Sequence, residues 1–340
     1  MHVFENILNQ NRPIRLLTTL FNNKTIPHAL LFTGVKGVGK KRCSIAFAML
    51  CNCTDLRFLS GIDDEPRINP CGHCSSCKKI KSGNHPDIII IEPSGTYIRI
   101  DQIRNLCRLL ALKPHEAHLR VVIISDAQAL TTEAGNALLK ELEEPPSGTL
   151  FILTAPQKSD LLPTVLSRSQ VIGFNPFSLN DLVSILKSGH GANHNDALIM
   201  AAMAGGSLST ATTMWKSKNR IDFIRQRKWL INFVNTCIMS EPSPDMLFAS
   251  ALRLAKNKEF FLDSLKVIKS WLRDLVIYKY SPEKIFNKDM TDEIKEISEN
   301  IAEEPLLCGI KAVDNAQKKI LANSALRLTA EIMIIKLARV

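Results

Sequence analysis

A glycine-rich segment with two adjacent lysines, residues 34–41 (GVKGVGKK), carries the first chemistry that the sequence suggests. It follows a short apolar run, residues 28–33, and precedes a helical pattern, residues 42–50. Strand, glycine-rich turn and helix form the context in which backbone N–H groups can face an anion, with a lysine reaching a β- or γ-phosphate. The sequence therefore predicts a phosphate-binding loop, although a chance turn would explain the glycines alone. The residues that would hold phosphate are Gly34, Gly37, Gly39 and Lys40.

Residue 41 departs from the phosphate-loop pattern. The pattern G-x-x-x-x-G-K-[ST] ends in a hydroxyl that ligates Mg²⁺, and this position holds Lys41. Because a second ammonium cannot ligate a cation, we expect ATP hydrolysis at this loop to be impaired. The other loop residues still permit ATP or ADP to bind without productive Mg²⁺ chemistry, so nucleotide binding is left open.

A cluster of cysteines forms the second candidate site. Residues 71–77 (CGHCSSC) place the thiols of Cys71, Cys74 and Cys77 at the spacing of a zinc knuckle. Four thiolates around Zn²⁺ leave no open position, so the predicted role of the metal is structural and not catalytic. Buried or redox-active thiols are the alternative interpretation.

The fourth ligand of this predicted zinc site comes from a different segment. Cys51 would complete the tetrahedral set, and Cys53 competes with it for the same position. His73 and His85 are weaker candidates, because His73 lies between two ligands and would point away from the metal. The nine cysteines of a chain without an export signal argue against disulfides.

The overall composition limits the class of protein. The chain has 340 residues, of which 45% are hydrophobic and 22% charged, which suits two or three packed domains. Its net charge of +10 favours a polyanionic partner such as nucleic acid, although lysines spread over the surface for solubility would give the same value. With no apolar run of about 20 residues and no export signal, we expect no membrane span and a cytoplasmic location.

The elements around these residues alternate between strand and helix. Short apolar runs predict strands at residues 28–33, 87–92, 120–125, 150–154 and 170–174. Because helical patterns separate the strands, and the first strand leads into the phosphate loop, we expect a parallel α/β domain. It would occupy residues 1–175, with the cysteines in an insertion at about 51–85. Asp101 is the predicted N-cap of the helix that ends near Leu110.

Beyond residue 175 the patterns are helical only. Residues 176–217 predict three short helices, and residues 218–340 predict longer ones with apolar residues at helical spacing. The longer helices are predicted at residues 222–239, 258–280, 304–321 and 324–340. The sequence therefore indicates a small helical region followed by an all-α domain.

Several segments together resemble a known family. They are residues 28–32 (HALLF), 100–104 (IDQIR), 136–146 (NALLKELEEPP), 167–168 (SR) and 323–331 (NSALRLTAE). These segments are similar to those of the clamp-loader subunits of bacterial DNA polymerase III, which are AAA+ proteins. The resemblance covers the whole chain and includes a zinc-binding insertion, although the spacing from Cys51 to Cys71 is longer than usual. It implies an AAA+ core, a lid domain at 176–217 and an oligomerising collar domain at 218–340.

Two types of subunit share this plan, the ATP-hydrolysing gamma/tau motor and the delta-prime subunit. The motor needs a pair of acidic residues after the third strand, and here Ser125 and Asp126, or Asp126 and Ala127, stand at those positions. Either alignment removes one carboxylate. Ser209 stands where motors carry a phosphate-sensing arginine, and Lys41 replaces the Mg²⁺ hydroxyl. The resemblance therefore favours the delta-prime type.

One functional arginine of the family is retained. Arg168 lies in Ser167-Arg168-Ser169, which is similar to the family's Ser-Arg-Cys motif with Ser169 in place of the cysteine. The resemblance implies that Arg168 points out of its own subunit and acts in trans as an arginine finger on a neighbour's nucleotide. A surface salt bridge is the alternative role.

The resemblance also implies partners. The chain would be a rigid, non-hydrolysing member of a pentameric arc with one delta and three gamma/tau subunits. This arc opens the sliding clamp on ATP binding and releases it, closed, on primer–template DNA. The basic surface is then expected to contact DNA phosphates. The alternatives are an ATP-hydrolysing subunit of the gamma/tau type and a stand-alone, zinc-containing DNA-binding protein.

Overall fold

The computed structural model describes residues 9–55, 57–59, 67–216, 220–240 and 242–338. The chain divides into two compact units, Met1–Phe177 and Ser178–Val340. Among the described residues, the first unit contains all of the strands, and the second contains helices only. This confirms the predicted change from mixed α/β to all-α structure. The further division of the helical part near residue 217 stays a prediction.

The first unit is built on a parallel sheet. Its strands and those of the cysteine-containing insertion are β1 (Ala29–Thr33), β2 (Arg57–Leu59), β3 (Arg67–Asn69), β4 (Ile88–Ile91), β5 (Arg120–Ile124), β6 (Thr149–Ala155) and β7 (Gln170–Gly173). Five of them form one sheet in the order β4-β5-β6-β1-β7, and every neighbouring pair is parallel. The two strands of the insertion, β2 and β3, pair with each other in antiparallel fashion. The five strands predicted from apolar runs are thereby confirmed.

Helices cover the sheet because its three central strands are buried on both faces. The helices of this unit are α1 (Asn11–Asn22), α2 (Lys40–Cys51), α3 (Ser75–Ser82), α4 (Ile100–Leu110), α5 (Thr132–Glu143) and α6 (Pro163–Leu166). Every residue of β1, β5 and β6 is buried. One face packs against α4 and α5 through residues such as Ile124, Leu106 and Leu138, while α2 packs against β5 and β6.

The parallel arrangement brings the carboxyl ends of the strands to one edge of the sheet. The glycine-rich loop follows β1 at this edge. Glu92 follows β4 there, and Ser125 follows β5. Ligands of open α/β sheets bind at this edge, outside the carboxyl ends of the strands. The residues predicted to bind phosphate therefore lie at the edge of the sheet where such folds bind their ligands.

Two helix starts differ from the sequence prediction. Asp101 is not an N-cap: α4 begins at Ile100, and Asp101 lies in its first turn. The Gln102 side chain instead accepts a hydrogen bond from the Arg99 N–H at 3.1 Å, which satisfies an amide that has no partner within the helix. Apolar residues at helical spacing in the sequence also predict a helix at residues 4–21, which Pro13 interrupts or restarts, and residues 4–8 of it lie outside the described residues. The described helix α1 begins at Asn11, with Pro13 in its first turn, where a missing N–H costs nothing.

The second unit consists of packed helices. They are α7 (Leu179–His190), α8 (His194–Ala204), α9 (Leu208–Lys216), α10 (Arg220–Met239), α11 (Pro244–Leu254), α12 (Lys258–Tyr278), α13 (Thr291–Asn300), α14 (Glu303–Leu321) and α15 (Leu326–Leu337). Helices α11 and α13 were not predicted from the sequence. The core centres on α12, whose Trp271 is fully buried and donates its indole N–H to Asn235 Oδ1 at 2.7 Å. No helix in the described parts of the chain is long and apolar enough to cross a membrane.

Candidate functional site

The glycine-rich loop takes a conformation that requires glycine. Gly34, Gly37 and Gly39 have φ values of +143°, +85° and +104°. A Cβ at Gly34 would lie 2.5 Å from the backbone oxygen of Phe174, so a side chain has no room there. The loop is anchored at its start by the Gly34 N–H, which donates to Pro156 O at 3.0 Å. These constraints hold the loop in a tight turn before α2.

The turn leaves a row of backbone donors available. The amides of residues 35–39 have no hydrogen-bond acceptor among the described residues. Successive N–H groups in such a turn, followed by a helix N-terminus, form a concave site for an anion. Within this row Val38 is buried, with 1% of its surface exposed. These amides are therefore available to an anion, and the phosphate-binding role of the loop stays a prediction.

Lys40 lies at the first position of α2 and is folded onto the loop. It is 7% exposed, and its ammonium donates to Gly34 O and, at 3.0 Å, to Val35 O. Burial lowers the pKa of Lys40, and the nearby Asp126 carboxylate opposes that shift. The Lys40 ammonium thus donates to carbonyl oxygens of its own loop. To bind a phosphate, it would have to exchange these contacts for a phosphate oxygen.

Lys41 is held by an acidic partner that the sequence did not suggest. Its Nζ lies 2.7 Å from Glu92 Oε1, at the carboxyl end of β4. The two residues are 51 positions apart in the chain, so no local pattern could have linked them. The position that carries the Mg²⁺ hydroxyl in the phosphate-loop pattern is therefore occupied by a paired ammonium.

The segment after β5 carries one carboxylate, Asp126, where the motor pattern has two. Ser125 is 5% exposed, and its hydroxyl has no hydrogen-bond partner among the described residues. Asp126 has a left-handed backbone with φ of +54°, and its carboxylate lies 3.8 Å from Lys36 Nζ. Mg²⁺ prefers oxygen ligands in octahedral geometry. Because Lys41 stands at the position of the Mg²⁺ hydroxyl, and Asp126 is the one carboxylate in residues 125–127, the residues present lack part of what Mg²⁺ binding and water activation need.

Arg168 lies on the surface of the first unit just after α6. Its Nη2 is 2.7 Å from Glu143 Oε1, and its side chain is 34% exposed. Its Nη1 donates to Thr164 O at 3.0 Å and to Ser167 Oγ at 3.2 Å. The guanidinium makes the surface salt bridge that was one of the two expected roles. It is also partly exposed, as an arginine finger that acts on a neighbouring subunit would need to be. Ser209, which replaces the motor's arginine, is exposed on α9 in the second unit.

The cysteines of the insertion converge, with one change in membership. The Sγ atoms of Cys53, Cys71, Cys74 and Cys77 all lie within 4.8 Å of one another. Cys51 does not belong to this set, so the fourth position falls to its competitor Cys53. Cys51 is the last residue of α2, and burial raises the pKa of its thiol to about 12. The chain must leave the helix before a cysteine can turn towards the knuckle, and Cys53 is the first that does so.

Backbone amides support three of the four sulfurs, whereas burial raises the pKa of Cys53 and of Cys77. Backbone N–H groups point at three of them, with Cys71 N 3.3 Å from Cys53 Sγ, Cys74 N 3.2 Å from Cys71 Sγ and Cys77 N 3.4 Å from Cys74 Sγ. Burial alone would raise the pKa of Cys74, but hydrogen bonds from Cys77 and Thr54 outweigh it and lower the pKa to about 6. Four sulfurs at this separation with amide support fit a tetrahedral Zn²⁺.

The two histidines named as weaker ligands are engaged elsewhere. His73 Nε2 lies 3.4 Å from Asp55 Oδ2, and its Nδ1 lies 3.1 Å from Cys71 O. His85 is buried, and its Nδ1 accepts the N–H of Asp87 at 3.2 Å. Neither histidine joins the group of four sulfurs.

Comparison with known proteins assigns the family. The sequence model described as "DNA polymerase III, delta subunit" matches residues 9–178, which is half of the chain. The model described as "DNA polymerase III, delta subunit, C terminal" matches residues 222–337. The chain belongs to the DNA polymerase III clamp-loader subunit family. The resemblance found in the sequence motifs is thereby confirmed.

Relatives of two subunit types are similar to this family member. The DNA polymerase III subunit delta' of Bacillus subtilis is 36% identical over 167 residues, which cover 49% of this chain and 48% of that protein. The subunit tau of the same organism is 24% identical over 361 residues, covering 99% of this chain and 61% of that protein. The chain thus spans about half to three fifths of these relatives' own lengths. A gamma subunit-related protein from Thermotoga maritima aligns over 91% of this chain and 99% of its own, at 19% identity and a TM-score of 0.39.

Proposed function

We propose that this clamp-loader family member is the delta-prime type, a non-hydrolysing subunit that supplies Arg168 to the ATP site of an adjacent motor subunit. The observation that carries the proposal is the contrast between two sites. Lys41 is paired to Glu92 where a Mg²⁺ ligand belongs, whereas Arg168 stays partly exposed on the surface. A subunit without its own metal site but with an accessible guanidinium is suited to complete a neighbour's site.

The partners follow from this assignment. The subunit would assemble with gamma/tau and delta subunits, and the assembly would open the sliding clamp and load it onto primer–template DNA. The net charge of +10 supports contact with DNA phosphates inside the assembly. Zn²⁺, held by Cys53, Cys71, Cys74 and Cys77, would fix the fold of the insertion and take no part in ATP turnover.

Residues 218–340 are proposed to form the collar through which the subunits associate, and residues 176–217 to form the lid. Two packed helices of this part, α11 and α15, support the collar role. They expose large apolar side chains at helical spacing, namely Phe248, Leu252, Leu328, Ile332 and Ile335. Such a run on a soluble protein suits burial against other subunits.

The proposal is tested by reconstituting the loader from gamma/tau, delta and this chain and measuring ATP turnover with primed DNA. We expect Arg168→Ala to lower the turnover of the assembly by about a third or more, because one of its three motor sites would lose its finger. Arg168→Lys should restore only part of the activity, because an ammonium lacks the planar fork of the guanidinium. The matched control is Arg12→Ala, which removes an exposed arginine of α1 that lies outside the segments shared with the family. Equal turnover by the wild-type and Arg168→Ala assemblies would refute the finger.

A second candidate function is an ATP-hydrolysing subunit of the gamma/tau type. The tau relative favours it, because that alignment covers nearly the whole chain. It predicts that the isolated chain hydrolyses ATP and that DNA stimulates the reaction. The Lys41–Glu92 pair and the uncharged Ser125 argue against it, so we expect no turnover above background by the chain alone.

A further inference from the structure

A second group of metal-ligating side chains lies beside the four sulfurs of the insertion. It consists of a carboxylate oxygen of Asp55, Sγ of Cys71 and a ring nitrogen of His73, all within 4.8 Å of one another. The four sulfurs meet the same distance limit, and Cys71 belongs to both groups. Carboxylate, thiolate and imidazole are the side-chain ligands that Zn²⁺ takes in proteins. The insertion therefore presents two sets of ligands that meet at one sulfur.

The contacts of the His73 ring determine which nitrogen can bind a metal. Its Nδ1 lies 3.1 Å from Cys71 O. Because a carbonyl oxygen can only accept, Nδ1 carries the hydrogen in this contact. The other ring nitrogen, Nε2, lies 3.4 Å from Asp55 Oδ2. A metal-ligating histidine almost always donates its second ring N–H to a carbonyl or a carboxylate, which orients the ring. His73 has this arrangement, with Nε2 facing the Asp55 carboxylate.

The contact between His73 Nε2 and Asp55 needs a positive charge. An ionised carboxylate only accepts hydrogen bonds, and Nε2 of an imidazole that is protonated at Nδ1 is also an acceptor. Two acceptors at 3.4 Å attract one another only when a cation is shared between them, either a second ring proton or a metal ion. Both side chains are about half exposed, at 54% and 57%. A metal ion can therefore reach the pair from solution.

The sulfur of Cys71 is suited to contact two ions. It accepts the backbone N–H of Cys74 at 3.2 Å and that of His73 at 3.5 Å, and both contacts favour a thiolate. Four thiolates outweigh the charge of a single Zn²⁺, and the Asp55 carboxylate adds to the negative charge beside them. Coulomb attraction therefore favours a further cation next to the shared sulfur.

We propose that Asp55, Cys71 and His73 bind a second zinc ion, with the Cys71 sulfur bridging it to the zinc of the four-sulfur site. Three protein ligands leave a fourth position for water, and the exposed ligands let this ion exchange with solution. Its occupancy then follows the concentration of free zinc, whereas the four-sulfur site keeps its ion. The inference goes beyond the proposed function, since it does not depend on Arg168 or on assembly with other subunits.

Calorimetric titration of the full-length chain with Zn²⁺ tests the proposal. The protein is first dialysed against zinc-free buffer, so that it keeps only the zinc of the four-sulfur site. We expect the titration to add one further zinc per chain. His73→Ala and Asp55→Asn should each weaken this second event by more than about 100-fold, because even partners outside the ligand set change metal affinity by about 10–100-fold. Both variants should keep the first zinc and the melting temperature of the wild type.

Titration with Co²⁺ shows whether the Cys71 sulfur is a ligand of the second ion. Cobalt bound through a cysteine gives a sulfur-to-metal charge-transfer absorption band. We expect this band when Co²⁺ is added to the dialysed, zinc-containing wild type, and its loss in His73→Ala and Asp55→Asn. Elemental analysis should find the first zinc retained, so that cobalt has not replaced it. Cys308→Ser and His194→Ala are the matched controls, because they remove an exposed thiol and an exposed histidine elsewhere, and both should behave as the wild type.

Three results would overturn the proposal. The first is a wild type that takes up no zinc beyond its first ion, which is what a plain ion pair between His73 and Asp55 would give. The second is binding of the second ion with wild-type affinity by either His73→Ala or Asp55→Asn, or loss of both ions from these variants, which would make the two residues part of the structural site. The third is a cobalt complex without a charge-transfer band. All of these results are independent of the Arg168 experiment, which measures the turnover of a neighbouring subunit.

Discussion

The guanidinium of Arg168 and the carboxylate of Glu143 form an ion pair, with 2.7 Å between Nη2 and Oε1. Glu143 is the last residue of α5, and Arg168 follows α6, so the pair joins two segments that separately resemble clamp-loader motifs. The Glu143 carboxylate contacts the same guanidinium that is proposed to contact a nucleotide phosphate on a neighbouring subunit. A finger that acts in trans must therefore exchange Glu143 for a phosphate oxygen.

This exchange predicts that Glu143→Gln makes the finger easier to engage. A half-exposed pair contributes about 0.2–1 kcal/mol, so removing the charge of Glu143 should favour the engaged state by up to about fivefold. We expect the reconstituted loader to reach half-maximal ATP turnover at a correspondingly lower concentration of the variant chain. The measurement is a titration of this chain into fixed gamma/tau and delta subunits.

The matched control is Glu144→Gln, at the next position in the chain. Glu144 is also exposed and has no ion pair among the described residues. We expect its half-maximal concentration to equal that of the wild type. If Glu143→Gln raised the concentration needed, the ion pair would be holding Arg168 in its working position, and the exchange would be incorrect.

The cysteine cluster predicts which thiol is needed for zinc. Cys53→Ser removes a member of the group of four sulfurs, whereas Cys51→Ser changes a buried thiol outside it. We expect elemental analysis to find one zinc per chain in the wild type and in Cys51→Ser, and a loss of zinc in Cys53→Ser. If Cys53→Ser kept its zinc and Cys51→Ser lost it, the fourth zinc ligand would be Cys51 and not Cys53.

The sequence was sufficient wherever local pattern decides structure. Apolar runs predicted the five strands, most strongly the central strands β1, β5 and β6, which are buried at every position and therefore need mostly apolar side chains. The glycine-rich loop was predictable because its turn requires positive φ at Gly37 and Gly39. Both features depend on residues close together in the chain.

Pairings between distant segments could not be predicted in the same way. The contacts of Lys41 with Glu92 and of Arg168 with Glu143 join different elements across the sheet edge and the surface. The choice between Cys51 and Cys53 depends on where α2 ends, and a helix end is uncertain by one or two residues. The helix α13 was missed because it is short and mostly polar.

A buried carboxylate at the amino edge of the sheet predicts how stability depends on pH. Asp87 is 1% exposed and accepts the N–H groups of His115, Glu116 and Ala117 at 2.8–3.0 Å. Burial alone would raise the pKa of Asp87, but these donors and the charge of Arg120 outweigh it and lower the pKa below its ordinary value. The stability that the carboxylate contributes is therefore present above its ordinary pKa of about 4 and is lost as pH falls below that value.

Asp87→Asn should accordingly lower the free energy of unfolding by about 2 kcal/mol at neutral pH, the typical value of hydrogen bonds to a charged group. The difference from the wild type should shrink as the pH is lowered from about 5 to 3, because the unfolded wild-type chain then takes up a proton at Asp87 while the lowered pKa keeps the folded carboxylate ionised. Denaturant unfolding across this range measures both effects. Glu299→Gln, at an exposed position of α13, is the control and should change neither. A difference that stays constant from neutral pH to pH 3 would contradict the role of the charge.

The backbone of the glycine-rich loop leaves no room for a side chain at Gly34. At Gly34 the φ of +143° disfavours any side chain, and an added Cβ would lie 2.5 Å from Phe174 O. We expect Gly34→Ala to destabilise the protein by more than about 1 kcal/mol and to lower its melting temperature. Gly189→Ala is the matched control, because Gly189 lies in α7 and a Cβ there meets no atom within 4 Å. That variant should gain about 0.5–1 kcal/mol from the higher helix propensity of alanine. If both variants melted at the wild-type temperature, the tight turn between β1 and Phe174 would not be the constraint that makes glycine necessary at position 34.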